Sequence, residues 1–170
     1  MNDPAEDLLL RAGCEERVIQ HCRCVRQSAR RYITPLSDRS LVEEGAMLHD
    51  IGRARTHGIG HGQAGAEIAR NMGVRGEVVR IIECHIGAGL TADECTLLGL
   101  MPRDCMPHTL EEKTVAHADN MVQGTHICIL PTSVLSSPFL PRRIRRRIYH
   151  LALGMEECRD WNKIKNMHFD

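Results

Sequence analysis

Apolar residues in this chain recur at intervals of three and four, and no segment alternates convincingly at intervals of two. That periodicity predicts helices and no sheet. In "EERVIQHCRCVRQSARRYI" the stripe is Val18, Cys22, Val25 and Ala29; in "SLVEEGAMLHDIG" it is Leu41, Gly45, Leu48 and Ile51, with Gly52 expected as a left-handed stop. "GQAGAEIARNMG" carries Gly65, Ile68 and Met72, and "RGEVVRIIECHIGAG" carries Val78, Ile81 and Ile82. From Gly87 to Thr109, Gly, Pro and Asp punctuation predicts a loop with one helical turn near Leu97 to Met101. A helix is expected from Thr109 or just after it, with Val115, Ala118 and Val122 inward. Breaks at Pro131, Pro138 and Pro141 precede a last helix, with Ile144, Ile148 and Leu151 inward and Gly154 at its end. The expected fold class is all-α, and 170 residues with 42% hydrophobic content suffice for one core.

Projecting the polar residues onto those stripes exposes a conflict. His21 shares the face of Val18, Cys22 and Val25; His61 precedes Gly65 and Ile68 at helical spacing; His85 continues Val78, Ile81 and Ile82; Asp119 lies between Val115 and Val122. His49 and Asp50 sit where an apolar helix ends, about 100° apart around its axis. A buried unpaired carboxylate costs several kcal/mol, and no Lys or Arg shares the stripe of either aspartate. Any one histidine in such a place is more often a hydrogen-bonded core residue than a ligand. Four His and two Asp aligned together form a nitrogen and oxygen metal site inside a helical bundle. His57, His108, His117, His126, His150 and His168 fall in loops, off the stripe or near the terminus, and are expected at the surface.

The remaining features exclude more than they assign. Lys+Arg and Asp+Glu balance at 22 each, so no whole-chain field argues for nucleic acid or membrane partners. The eight cysteines form no CxxC, and Cys22-Arg-Cys24 is too tight for a zinc knuckle; reduced core thiols in a cytoplasmic protein are expected, since no targeting segment is apparent. No run approaches the roughly 20 apolar residues of a membrane span.

In order along the chain, His21, His49-Asp50 in "HDIG", His61, His85 and Asp119 in "HADN" resemble the HD-domain superfamily of metal-dependent phosphohydrolases. The six-residue pattern is similar to its dinuclear members. "GHGQAGAEIA", "IIECHIGAG" and "EEKTVAHADN" resemble segments of small stand-alone HDIG proteins, including symmetrical dinucleoside tetraphosphate hydrolases, over about Leu8 to Thr125. Arg53 stands where the superfamily often has lysine. The paired histidines and GYP tripeptide of cyclic-di-GMP phosphodiesterases are absent, as Cys84 precedes His85 and Gly87 follows, and nothing resembles the added domains of the large guanosine-polyphosphate enzymes.

The resemblance implies an HD-domain helical bundle over residues 1–126, with 127–170 a C-terminal helical extension packed on it. It implies two divalent transition metal ions (Mn, Fe, Co or Ni), one held by His21, His49, Asp50 and Asp119 and the other by Asp50, His61 and His85. It also implies a bridging hydroxide as nucleophile, Asp50 and Arg53 as catalytic residues, and a small phosphorylated metabolite or nucleotide as substrate. Arg55 and Lys113 are further candidates for touching phosphate. The alternatives are a mixed-valence di-iron oxygenase using the same ligands and a non-catalytic metal-stabilised binding module. "PRRIRRRIYH", Pro141 to His150, could be a polyanion patch. Its five arginines are expected to be a solvated face, with nucleic acid an unlikely partner. The oligomeric state is open.

Overall fold

The computed structural model describes residues 3–128 and 140–167, with side chains as far as residue 159. In chain order it has α1 (Pro4–Ala12), α2 (Glu16–Ala29), a 3-10 turn (Arg30–Tyr32), α3 (Arg39–Leu48), a second 3-10 turn (Ile51–Ala54), α4 (His61–Asn71) and α5 (Gly76–Cys84). Then follow α6 (Ala92–Leu97), α7 (Leu110–Asn120) and α8 (Arg142–Met167). Side-chain caps fix several starts. Asp3 accepts from the Ala5 N–H and Asp38 from the Leu41 N–H, and Thr91 with Glu94 and Thr109 with Glu112 form capping boxes at α6 and α7. The Thr91 box starts α6 ahead of the expected turn, leaving Leu97, Leu98 and Met101 exposed.

Helices α2, α3, α5 and α7 pack on one another, and α4 lies along α5. All four stripe residues of α2 are buried. Cys22 joins Met47, Leu48, Ile51 and Ile82 on one side, while Val25 and Ala29 join Val42, Ala46, Ile81, Val115 and Ala118 on the other. Each such aliphatic side chain contributes about 1.5–3 kcal/mol by leaving water. Most of the site residues enter this core from its helix ends, and His21 enters it from within α2.

Gly52 is not left-handed: the positive-φ glycines are 13, 73, 87, 89, 99 and 124. Its requirement is space. A Cβ there would sit 1.9 Å from the His61 carbonyl oxygen and 2.6 Å from the Gly65 nitrogen, so α4 crosses the second 3-10 turn at backbone contact. Glycines on both elements allow His61 to approach Asp50.

Four further expectations are corrected. A two-residue hairpin, β1 (Val122–Gln123) with β2 (His126–Ile127), follows α7 around Gly124, too short to show in periodicity. Helix α8 runs through Gly154 to Met167, seated by Ile148, Ala152 and Met155, with Leu151 only half-buried. His117 is 1% exposed, edge-on to Tyr32 at 4.6 Å with Nε2 3.8 Å from Glu156, and burial pushes its pKa down to about 4. The arginines of α8 are not uniformly solvated: Arg147 pairs with buried Glu94 at 2.7 Å and donates to the Gly89 carbonyl at 2.9 Å. Pro131, Pro138 and His168 lie outside the described residues. The eight cysteines are free thiols, five of them buried. No described helix is long and apolar enough to cross a membrane.

Candidate metal centre

Each residue of the expected set is delivered by a helix or a helix end. His21 lies within α2; His49 caps the C-terminal end of α3 and Asp50 follows it; His61 is the first residue of α4; His85 caps α5; Asp119 is in the last turn of α7. The four imidazoles are oriented alike. Nδ1 of His49, His61 and His85 lies 2.8, 2.8 and 2.7 Å from the carbonyl oxygens of Ala46, Gly58 and Ile82, and Nδ1 of His21 lies 2.8 Å from that of Gly124. A carbonyl only accepts, so each Nδ1 carries a proton and each Nε2 is the atom turned inward, with a lone pair to offer whenever its ring is neutral.

The Nε2 atoms and carboxylates meet around Asp50. Its Oδ1 lies 3.1 Å from His61 Nε2 and 3.7 Å from His85 Nε2, while its Oδ2 lies 3.9 Å from both His21 and His49 Nε2. Asp119 Oδ1 is 3.0 Å from His21 Nε2 and 3.5 Å from His49 Nε2. The two oxygens of Asp50 thus face different pairs of imidazoles. Two overlapping His/Asp clusters, His21–His49–Asp119 and His49–Asp50–His85, bring one ligand atom per residue within 4.8 Å of one another and could each hold a metal ion. His49 belongs to both, whereas the sequence reading gave it to one.

Burial and electrostatics are those of a cation site. His49 is 0% exposed and His85 1%, whereas the His21 and Asp119 side chains are 18% and 23% exposed, so the centre opens on the α2–α7 side. Burial raises the pKa of Asp50, but His49, His61 and His85 outweigh it and hold the carboxyl far below its usual range; Asp119 is held low in the same way, against burial, by His21 and His49. Burial also opposes charge on His49, yet Cys22, Asp50 and Asp119 push its pKa well above normal, so this inward nitrogen favours a positive charge, whether a proton or a metal ion that displaces it. His85 falls to about 3 through burial and then the neighbouring charges of His49 and His61.

The residues fit divalent metal ions. His49 Nε2 is buried with no hydrogen-bond partner, and the Nε2 atoms of His61 and His85, both aprotic when the rings are neutral, face one another at 3.0 Å. Two lone pairs at that distance repel unless a cation lies between them. Neighbouring ligands about 2.1 Å from one ion also stand roughly 3 Å apart.

The flanking cations divide. Arg53 donates from Nε to Asp50 Oδ1 at 3.1 Å and from Nη1 to the His57 carbonyl at 2.8 Å, so it braces the centre at its rim. Arg55 is paired with Glu67, and Lys113 lines a separate hollow with Leu110, Arg147 and His150. His57 is exposed and meets the site only through its carbonyl. Three contributors went unread in the sequence: the Gly124 carbonyl that turns His21, Cys22 beneath His49, and Asn120, which donates to the Gly87 carbonyl at 2.6 Å beside the His85 loop. Only Asn120, next to Asp119, carried a local signal.

The HD-domain family profile matches residues 18–122, and the chain belongs to the HD-domain phosphohydrolase superfamily. It is 47% identical over 123 residues to the uncharacterized protein MJ0778 of Methanocaldococcus jannaschii, covering 69% of this chain and 73% of that one. It is 44% identical over 129 residues to a tRNA (cytidine(56)-2'-O)-methyltransferase of Picrophilus torridus, covering 73% of this chain but 38% of that protein. The HD domain of the L. monocytogenes phosphodiesterase PgpH shares the fold at TM-score 0.53 and 18% identity, over 95% of this chain and 86% of that one.

Proposed function

We propose that the protein is a metal-dependent phosphohydrolase acting on a small phosphorylated metabolite or nucleotide, with His21, His49, Asp50, His61, His85 and Asp119 holding two divalent ions of the Mn, Fe, Co or Ni type. The observation that carries this reading is the split of Asp50, one oxygen toward His61 and His85 and the other toward His21 and His49. Imidazole and carboxylate donors suit such ions better than a closed thiolate zinc site. When bound, the ions supply an acidified water as nucleophile and Lewis-acid polarisation of the phosphoryl group.

The chain's own groups do the rest. Backbone carbonyls hold the Nδ1 side of each ring, so every Nε2 is placed to bind a metal ion without rearrangement of the ring. Arg53 fixes Asp50 through Nε and the His57 carbonyl through Nη1, and the rest of its guanidinium is the proposed contact for an incoming phosphate. The partly exposed His21–Asp119 side is the approach for substrate.

The test is metal analysis joined to a screen of phosphomonoesters, nucleotides and dinucleoside polyphosphates under Mn, Co, Ni and Fe supplementation. Release of phosphate or a phosphorylated product, abolished by Asp50→Ala, supports the reading. Dioxygen consumption by the iron form, with no hydrolysis by any metal form, overturns it.

A further inference from the structure

The arginine run of α8 divides into two groups. Arg143 and Arg147 meet Glu94 at 2.9 and 2.7 Å, which accounts for two of the five. Arg142 and Arg145 have no side-chain partner among the described residues, and Arg146 reaches only His150 Nε2, at 3.3 Å. No acidic residue occupies the first turn of α8, so these cations crowd the positive end of the helix dipole, where like charge is disfavoured. Docking of the helix does not need them, since Ile148, Ala152 and Met155 supply its buried face. A bound polyanion would relieve this repulsion.

The rest of the outer face narrows the partner. At 100° per residue Arg142, Arg146, Tyr149, His150 and Leu153 share one strip, opposite Ile148 and Met155. Tyr149 is 51% exposed and Leu153 46%, and the tyrosine ring stands 6.2 Å from that of His150. The strip is roughly 16 Å long, cationic at its start, with Tyr149 and His150 after the arginines and Leu153 at its end. Beside it, Arg142, Arg143, Arg146, Arg147 and His150 line an open hollow of about 580 Å³. A free phosphate would use the arginines and leave the ring idle. A lipid surface calls for an apolar helix face, and here that face is spent on the core.

We propose that this strip of α8 is a docking surface for single-stranded nucleic acid, with Arg142 and Arg146 on backbone phosphates and Tyr149 stacked on a base. Guanidinium groups tracking the backbone beside an exposed ring are the combination by which single strands are held without sequence preference. This goes against the expectation from the sequence, where neither the pairing of Arg143 and Arg147 nor the exposure of Tyr149 could be read. It stands independently of the reaction at the metal centre.

The test uses the whole protein and fluorescently labelled oligonucleotides of about 12 nucleotides, U-only RNA, T-only DNA and a duplex, read by anisotropy across roughly 50–200 mM salt. Both single strands are expected to bind better than the duplex, because neither contact reads the sugar and the duplex hides its bases. Arg142→Gln/Arg146→Gln should weaken binding about tenfold or more and reduce the salt slope by roughly 1.4. Tyr149→Ala should weaken it about 5- to 150-fold with the slope unchanged. Circular dichroism and thermal midpoints should match the wild type, since all three side chains face solvent. Any one of four results overturns the proposal: no binding at the lowest salt, wild-type affinity in the variants, a duplex bound as well as single strands, or tighter binding to anionic phosphatidylserine vesicles or inorganic tripolyphosphate.

Discussion

Glu94 and Asp50 are both buried carboxylates, 2% and 6% exposed, and they are balanced differently. Glu94 is met by the guanidinium groups of Arg143 and Arg147 and caps α6 through the Thr91 N–H, so its charge is closed within the chain. Asp50 is met by a single arginine and by imidazoles whose Nδ1 protons already belong to backbone carbonyls. Those rings turn Nε2 toward it, the atom that takes up a proton or binds a metal ion. One cluster brings its own cations and holds a helix in place; the other is built to receive cations from outside.

The largest effect that would separate the two is on activity. Asp50→Ala should lower kcat/KM for a phosphoester by at least about a thousandfold and reduce bound metal, because both halves of the site lose a ligand. Glu94→Ala should leave metal content at the wild-type level. Next is chelation. Withdrawing the ions should remove about 3–4 kcal/mol of stability per ion relative to a 100- to 1,000-fold excess of metal over Kd, read as a fall in thermal midpoint. A Glu94→Gln variant should lose the same increment, since the two clusters share no residue.

Arg53→Ala should retain its metal and lose about 1.5–3 kcal/mol of transition-state stabilisation, measured in kcat/KM, as expected for a charged hydrogen bond. The smallest effect falls on the clamp. Glu94→Gln should cost about 1 kcal/mol in urea denaturation, since an amide still accepts a hydrogen bond. Burial raises the Glu94 pKa, but Arg147, the Thr91 N–H and Arg143 outweigh it, leaving the folded value below the usual one. The folded state therefore binds the proton less readily than the unfolded chain. The stabilisation is complete above the unfolded value of about 4.3 and is lost as pH falls through the folded one. The corresponding part of the acid limb of the stability profile should be missing in Glu94→Gln.

How much was legible in the sequence follows from how local each signal is. His21, His61, His85 and Asp119 stood out because each broke an apolar stripe at helical spacing, and the fold brings the three histidines to Asp50 and Asp119 to His21. Gly52 was marked as special for the wrong reason, since its requirement is the close passage of α4, a tertiary contact. His117 escaped because its burial comes from Tyr32 and from Glu156 on α8, far away in the chain. The pairing of Arg147 with Glu94 escaped likewise, across 53 residues of sequence. Periodicity reads the inward face of a helix but not what another helix later brings to its outer face.

The most direct measurement is metal stoichiometry. The wild-type protein is titrated with Mn or Co to saturation, freed of loosely bound ion, and assayed by mass spectrometry of the metal against protein concentration. Saturation at two ions per chain, with substantially less in Asp50→Ala, is the expected result. Saturation at one ion per chain in excess metal would contradict the dinuclear centre and leave the facing lone pairs of His61 and His85 to be explained another way.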